Sequence, residues 1–185
     1  KSTPPLFSYS LTSKDSIHYF GYQNRRLTTI NHDRPRVFFL FPFKNQIIAV
    51  SENEPVIERF DSEGNKTEEL YYPEYFENYI EQAKERERSE TKMRGTATFM
   101  SDATLSGNEL YILTIGYNKT KAKSTLNHIF NFTISDSNIS LSRIIELNNG
   151  KDDTWYMSFT IVRDKILAFD GVTYELHEFY LPKKK

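Results

Sequence analysis

Few residues of this 185-residue chain are of a type and spacing that perform chemistry. The sequence has no G-x-S-x-G, H-E-x-x-H, Walker or G-x-G-x-x-G motif. It has no cysteine, which excludes thiolate catalysis, disulfides and zinc–thiolate sites. The candidates that remain for acid–base catalysis are His32 and Asp33, because an imidazole and a carboxylate can transfer protons near neutral pH. We predict no catalytic residue beyond these two candidates.

A second histidine, His177, follows Glu175 by two residues. In a strand, that spacing places both side chains on one face, where they could form an acid–base pair. Structural packing is the expected role of the pair.

Basic and aromatic residues in polar stretches could bind a ligand. Arginines hold carboxylate, sulfate or phosphate groups through paired hydrogen bonds, and lysines hold them more loosely. Two aspartates beside a tryptophan are typical of a carbohydrate contact. The alternative is that the charges are solvated loop residues and the tryptophan begins a core strand. The predicted binding residues are Arg34, Arg36, Arg94, Lys119, Lys121, Asp152, Asp153 and Trp155, with Lys123 beside the other lysines.

The stretch from Asp61 to Asn65 superficially suggests a calcium loop. Such a loop needs glycine at its sixth position and a bidentate glutamate at its twelfth, whereas Gly64 is fourth here. We therefore expect a hairpin turn, and we predict neither a metal site nor a cofactor.

The composition favours a water-exposed chain rich in strands. Aromatic residues make up 15% of the sequence, and rings favour strands. A net charge of −1 gives no general attraction to nucleic acid, so no nucleic-acid partner is predicted. No apolar run approaches the roughly 18 residues of a membrane-spanning helix, so no transmembrane segment is predicted in this chain.

One pattern recurs four times along the chain. Each copy has an apolar run, a tight turn, an apolar anchor and then an apolar–x–x–apolar set, which indicates a β-meander. Two copies continue through a polar turn into a fourth strand. The anchors and sets are Ile17 with Leu27–Ile30, Ile47 with Ile57–Phe60, Leu110 with Ile129–Phe132, and Ile166 with Leu176–Phe179. The predicted repeats span about 6–31, 36–73, 96–148 and 154–182.

Several of these strands are nearly continuous apolar runs, which is typical of strands buried on both faces. Sheets stacked on both sides, as in propeller blades, would cover them. The predicted fold class is therefore all-β, a propeller-type domain of about four four-stranded antiparallel meanders spanning 1–185. The last repeat lacks a fourth strand, which either LFSYSLTS near the N-terminus or a segment upstream of Lys1 would supply.

One segment has the period of a helix. Phe76, Tyr79, Ile80 and Ala83 form one apolar stripe, which predicts a helix over 74–88 inside a charged insertion at 73–95. The insertion is expected to be solvated, and a partner-docking lid is the alternative.

The meander, the D-x-x-G-x turn from Asp61 to Asn65, Pro73 after the fourth strand and the ending ILAFDGVTYELHEFYLP bring to mind one family. The chain resembles the TolB-like six-bladed β-propeller proteins of Bacteroidetes over roughly 30–182. The resemblance implies a lipoprotein of the periplasm or outer membrane, lipid-anchored through a segment not present here and usually of unassigned activity. Because 185 residues hold about four blades, the chain is expected to be either the C-terminal part of a six-bladed propeller or a small four-bladed one.

The long connections of a meander lie at one end of its sheets, and function concentrates on such loops. We therefore expect a non-catalytic binding or scaffold protein that presents this end to a glycan or protein partner. The alternative, a glycan-active lyase or hydrolase, requires carboxylates or a His/Tyr pair to converge there around His32, Asp33, Asp152 and Asp153. A third reading is an assembly surface, through which the chain self-associates or pairs with a missing N-terminal half.

Overall fold

The computed structural model describes residues 6–9, 17–20, 38–52, 55–71, 100–118, 123–150 and 154–182. Every regular element in these ranges is a β-strand, so the predicted all-β class is confirmed. The predicted helix at 74–88 and its insertion at 73–95 lie outside the described residues. The strands are β1 Leu6–Tyr9, β2 Ile17–Phe20, β3 Phe38–Phe43, β4 Gln46–Ser51, β5 Val56–Phe60, β6 Lys66–Tyr71, β7 Met100–Ser106, β8 Glu109–Asn118, β9 Lys123–Ile134, β10 Ile139–Glu146, β11 Tyr156–Val162, β12 Lys165–Asp170 and β13 Leu176–Tyr180.

The strands form four antiparallel sheets, each a meander in chain order. β1 pairs with β2, β3 to β6 form a four-stranded sheet, β7 to β10 form a second one, and β11 to β13 form a three-stranded sheet. β1 pairs with β2 in an antiparallel two-stranded sheet, and the predicted source of a fourth strand for the last repeat stays a prediction.

In three of the four predicted copies, the residues that define the sequence pattern are cross-strand partners. Leu27–Ile30 of the first copy lie outside the described residues. Ile47 lies opposite Phe60, Leu110 opposite Phe132, and Ile166 opposite Phe179. Each anchor on the second strand therefore meets the last residue of the apolar–x–x–apolar set on the third. This shared register gives the three larger sheets a common numbering of equivalent positions.

Short turns close one end of these sheets. The first residue of the two-residue turn between the first and second strands has a positive φ in each case: 53° at Lys44, 62° at Gly107 and 59° at Arg163. The Asp61 turn is a hairpin between β5 and β6, as expected. The Asp61 carboxylate accepts hydrogen bonds from Asn65, from both the backbone N–H at 2.8 Å and Nδ2 at 3.0 Å, which lower its pKa.

The chain divides into two compact units, residues 1–97 and 98–185. In the first unit, β5 is buried along its whole length, so both of its faces are covered. Arg59 pairs with Glu68 at 3.1 Å on one face. On the other face, Lys66 pairs with Glu58 at 3.3 Å and also with Glu69.

In the second unit, the sheet β7–β10 packs against the sheet β11–β13. The Asp102 carboxylate on β7 accepts a hydrogen bond of 2.9 Å from the Phe159 N–H on β11. At the opposite side of the sheets, the Arg143 guanidinium donates to the carbonyl oxygen of Pro182. The strand β8 is buried on both faces from Glu109 to Thr114. Side chains on the first and last strands of the sheet β7–β10 therefore bond to the backbone of the last sheet.

The last sheet is covered on one face only, which corrects the expectation that its apolar strands are buried on both. Along β12, buried residues alternate with half-buried ones. On β13, Leu176 is 63% exposed and Tyr180 is 68% exposed. The pattern alternates because one face packs on the preceding sheet, while the side chains of the other face are half-buried or exposed.

The stretch 117–125, predicted to be an inserted polar loop, is largely a hairpin extension. β8 runs to Asn118 and β9 begins at Lys123, and these two residues are cross-strand partners. In the described part of this stretch, the backbone N–H and C=O groups pair across the two strands, although the lysine-rich sequence has no apolar alternation to indicate a strand.

A candidate binding site at the loop end of the last sheet

Of the predicted site residues, Trp155 and Lys123 fall within the described ranges, and Lys123 is the first residue of β9. The others, namely His32, Asp33, Arg34, Arg36, Arg94, Lys119, Lys121, Asp152 and Asp153, lie outside them. Trp155 stands directly before β11, at the end where the connection from β10 meets the β12–β13 turn. That end is the long-connection end considered in the sequence.

Asp170, the last residue of β12, organises this end. Its Oδ1 accepts hydrogen bonds from the Val172 N–H at 2.9 Å and from the Trp155 N–H at 3.4 Å, and its Oδ2 accepts one from Thr173 Oγ1 at 3.1 Å. Burial of the carboxylate acts to raise the pKa of Asp170, but these donors outweigh it and lower the pKa. Asp170 is therefore a charged group that fixes both the turn and the backbone of Trp155.

A second link ties the turn to Trp155. The Gly171 N–H donates to the Trp155 carbonyl oxygen at 2.9 Å, and the Tyr174 N–H donates to the Asp170 carbonyl oxygen at 2.9 Å. The side chain of Met157 lies over Gly171, where a Cβ atom would stand 2.5 Å from its sulfur. Glycine at this position therefore lets Met157 lie against the turn.

Two aromatic side chains are exposed on this fixed backbone. Trp155 is 39% exposed and Tyr174 is 76% exposed. Tyr174 has a φ of 60°, a conformation that side chains other than glycine and asparagine rarely adopt, and its ring stands 6.4 Å from that of Phe169. The turn thus holds an aromatic ring outward at a cost in backbone strain.

Beneath the turn lies a hydrogen-bonded group of polar side chains. The hydroxyl of Tyr156 is 2.9 Å from His177 Nδ1, and Asn149 Nδ2 is 3.2 Å from the same nitrogen. In the neutral tautomer with its proton on Nε2, His177 Nδ1 has one lone pair, which can accept from either of these two donors. That Nε2 is 3.3 Å from Glu175 Oε2. The structure therefore brings the predicted Glu175/His177 pair together and adds two partners to it.

The Tyr156 hydroxyl is held in its protonated form. Burial, and then the negative charge of Asp170, raise the pKa of Tyr156 to about 12. In the tautomer with the proton on Nε2, the protonated phenol donates to His177 Nδ1 and helps to fix the orientation of the imidazole. The ring of Tyr156 packs edge-on against those of His177 and Phe179, at centroid distances of 5.7 and 5.8 Å.

Sequence reasoning missed Tyr156 and Asn149. The two lie on different elements from His177, and β12 separates β11 from β13. The middle strand carries Ala168 opposite His177, and this small side chain leaves the space across which Tyr156 reaches. An alanine at the centre of an apolar strand gives no sign of such a pair.

The described residues contain neither a metal-binding cluster nor a helix suited to cross a membrane. In these ranges, no three side chains of His, Asp or Glu come close enough together to hold a metal ion. Within the same ranges there is no helix with the length and apolar character needed to cross a membrane.

Comparison of the chain with models of known protein families and with curated proteins finds no match.

Proposed function

We propose that this protein is a non-catalytic binding or scaffold protein of the bacterial cell envelope, which presents the loop end of its sheets to a glycan or protein partner. The observation that carries the proposal is the pair of exposed rings, Trp155 and Tyr174, on a turn fixed by the buried Asp170. Rings held rigidly at a surface supply large contact area at low entropic cost on binding.

The polar groups beside the rings suit a sugar. The apolar face of a pyranose stacks on an aromatic ring, while its hydroxyls need donors and acceptors at the edge. Glu175 is exposed beside the turn and supplies an acceptor, and His177 is half-buried behind it. A ring next to a carboxylate therefore offers both kinds of contact to a glycan.

The architecture we propose is a β-propeller of TolB-like type, anchored in the periplasm or at the outer membrane. Three meanders with a common register support it, as does the packing of β7 against β11, the first strands of two successive meanders. The envelope location rests on the resemblance of the sequence.

A glycan array followed by titration calorimetry tests this function. We expect Trp155→Ala and Tyr174→Gly each to weaken binding of a selected glycan about tenfold, the effect of removing an aromatic anchor. Glycine adopts the φ of position 174 without strain, so the second variant removes the ring and leaves the turn intact. Tyr180→Ala is the matched control, because Tyr180 is equally exposed on the same sheet but lies at its other end.

A protein partner is tested with the same variants, as pull-downs from envelope extracts in which the captured partner is lost with Trp155→Ala and kept with Tyr180→Ala. Empty glycan and pull-down screens, together with measured turnover of a substrate, would overturn the proposal.

A second candidate function is favoured by the Tyr156–His177 pair. A glycan-active lyase or hydrolase needs a positioned acid and base, and a hydroxyl 2.9 Å from an imidazole is such a pair. The pair lies at the loop end but does not involve the residues first considered for it. Release of reducing or unsaturated sugar ends by the wild-type chain, and its loss in His177→Gln with the fold retained, would establish this activity. Equal release by both proteins would exclude His177 as its base.

A further inference from the structure

The third strand of each larger sheet carries a polar residue directly before the phenylalanine that meets the anchor. These equivalent residues are Arg59 on β5, Asn131 on β9 and Glu178 on β13. The first two are buried, and Glu178 is exposed. The difference lies in what stands beside each strand, since β5 and β9 have a fourth strand next to them.

In the two four-stranded sheets, the fourth strand places a complementary group opposite this polar residue. Glu68 on β6 lies opposite Arg59, with 3.1 Å between Arg59 Nε and Glu68 Oε2. Arg143 on β10 lies opposite Asn131, and its Nε donates to Asn131 Oδ1 at 3.0 Å. In both sheets, the fourth strand therefore carries a group that can pair with the polar residue of the third strand.

Two residues further along, the fourth strand is aliphatic in both sheets. Leu70 lies opposite Ile57, and Ile145 lies opposite Ile129. The equivalent residue on β13 is Leu176, which is 63% exposed. A fourth strand beside β13 would therefore cover an aliphatic side chain with another one.

The backbone of β13 is arranged to receive such a strand. At one end of the β12–β13 ladder, the Asp170 N–H donates to the Glu175 carbonyl oxygen. At the other end, the Leu181 N–H donates to the Asp164 carbonyl oxygen. Hydrogen-bonded pairs alternate along an antiparallel ladder, so the odd-numbered residues from Glu175 to Leu181 face β12. The N–H and C=O groups of Leu176, Glu178 and Tyr180 point away from β12, and among the described strands none pairs with that edge.

We propose that the outer edge of β13 binds an extended peptide segment as a fourth, antiparallel strand. The segment carries Arg or Lys opposite Glu178 and an aliphatic residue two positions later, opposite Leu176. Backbone hydrogen bonds supply affinity, and the basic–x–aliphatic pattern supplies specificity. This surface adjoins the loop end, since Leu176 lies opposite Phe169, whose ring stands 6.4 Å from that of Tyr174. The inference does not depend on the proposed function.

The charges of the last sheet suit a basic residue in the bound strand. Glu178 Oε1 is 2.7 Å from Lys165 Nζ on β12, the strand on its inner side. A carboxylate accepts from donors on both sides, so a second cation on the outer side adds to the first. An acidic residue there would instead face Glu178 across the ladder, and like charges directly opposite destabilise a strand pair.

The probe is the fourth strand of the preceding sheet, synthesised as the peptide ISLSRIIEL, residues 139–147. It is titrated into the ¹⁵N-labelled 185-residue chain while the amide resonances of β13 are followed. We expect saturable shifts at Leu176, Glu178 and Tyr180. The peptide ISLSEIIEL, with glutamate in place of the arginine, should bind about tenfold more weakly, because an attractive cross-strand pair becomes a repulsive one.

A charge reversal in the protein completes the test. Glu178→Arg should invert the preference, so that ISLSEIIEL binds more tightly than ISLSRIIEL. Asp164→Arg makes the same charge change at an exposed turn of the same sheet and should leave the preference as in the wild type.

Three outcomes would overturn the proposal. The first is the absence of shifts on β13 at millimolar peptide, and the second is equal affinity for the two peptides in the wild-type chain. The third is concentration-dependent protection of the β13 amides without peptide, which would assign the edge to a second copy of the chain.

Discussion

The two sheets of the second unit have equivalent faces, of which one is buried and the other is half-buried or exposed. In the sheet β7–β10, Tyr111, Leu113 and Ile129 are buried beneath the sheet that follows. The equivalent residues of the last sheet are Leu167, Phe169 and Leu176, which are half-buried or exposed. The apolar pattern is the same in both faces. The pattern therefore indicates that a face can be buried, and burial itself depends on whether a neighbouring sheet packs against that face.

The polar positions of the two faces differ in the way that burial requires. In the buried face, Glu109 accepts hydrogen bonds from Asn131 Nδ2 at 2.8 Å and from Thr133 Oγ1 at 3.2 Å. In the exposed face, Lys165 occupies the position of Glu109, pairs with Glu178 at 2.7 Å and lies 5.2 Å from the ring centre of Tyr180. A buried carboxylate needs hydrogen-bond donors fixed around it, whereas a solvated ion pair needs little positioning.

The largest expected effect compares equivalent aliphatic residues. Ile129→Ala should lower the free energy of unfolding by about 3 kcal/mol, because it leaves a cavity in a closed core. Leu176→Ala should lower it by less than about 1 kcal/mol, because the side chain is mostly exposed. Urea unfolding followed by the fluorescence of Trp155, the single tryptophan, measures both. Equal losses would mean that the face of β13 is covered in solution.

Next in size is the pair of equivalent polar residues. Asn131→Ala removes a donor from the buried Glu109 carboxylate and an acceptor from Arg143, and should cost about 2 kcal/mol. Glu178→Ala breaks an exposed ion pair and should cost at most about 1 kcal/mol, decreasing as salt is added. The same urea titration, repeated at low and high salt, distinguishes them. A salt-sensitive loss at Asn131 would contradict the comparison.

A smaller effect compares the two faces of the last sheet through their tyrosines. Tyr156→Phe removes the hydrogen bond to His177 on the covered face and should cost about 1 kcal/mol. Tyr180→Phe on the exposed face should leave stability unchanged. Because the folded-state pKa of Tyr156 is raised to about 12, alkaline titration by ultraviolet absorbance should show that Tyr156→Phe loses a late-titrating phenol.

The smallest effect is on pH dependence and contrasts one aspartate of each sheet. The pKa of Asp170 is lowered in the fold, so its stabilisation is present above the ordinary pKa of aspartate and is lost as pH falls through the folded value. Burial raises the pKa of Asp102 despite its backbone hydrogen bonds, so its contribution is present below the ordinary value and is lost as pH rises through the folded value.

Urea midpoints measured across the acidic range should therefore change in opposite senses when each residue is replaced. Asp170→Asn should flatten the rise of stability with pH, and Asp102→Asn should steepen it. A change of the same sign in both variants would contradict the assigned shifts.

The register of the sheets could be predicted from the sequence because turns and apolar spacing fix it locally. Lys44 and Arg163 each begin a turn of two residues between the first and second strands. From there the anchor can meet only one residue of the preceding strand: Ile47 lies opposite Pro42, and Ile166 lies opposite Ile161. The covering of a face could not be predicted, since KILAF reads the same whether one or both of its faces are buried. A continuous apolar run shows that both faces of a strand can be buried, but it does not show which sheet, if any, packs against each face.

The candidate site was predictable in part for the same reason. The spacing of Glu175 and His177 places both on one face of a strand, and the structure brings them within 3.3 Å. Tyr156 joins them across an intervening strand, and that contact depends on the packing of three strands together. Trp155 was singled out by residue type, and the exposure of Tyr174 follows from a backbone conformation that its sequence context does not indicate.

The left-handed residue that opens the first turn of each of the three larger sheets also bears on how the relationship between the copies can be recognised. A lysine, a glycine and an arginine adopt nearly the same φ at Lys44, Gly107 and Arg163, although glycine alone does so without strain. The copies of the meander thus share geometry where they share no residue. Substitutions can therefore remove the sequence identity between copies while the pairing of anchor and phenylalanine is kept. For this chain, related copies are better recognised by the spacing of cross-strand partners than by identical residues.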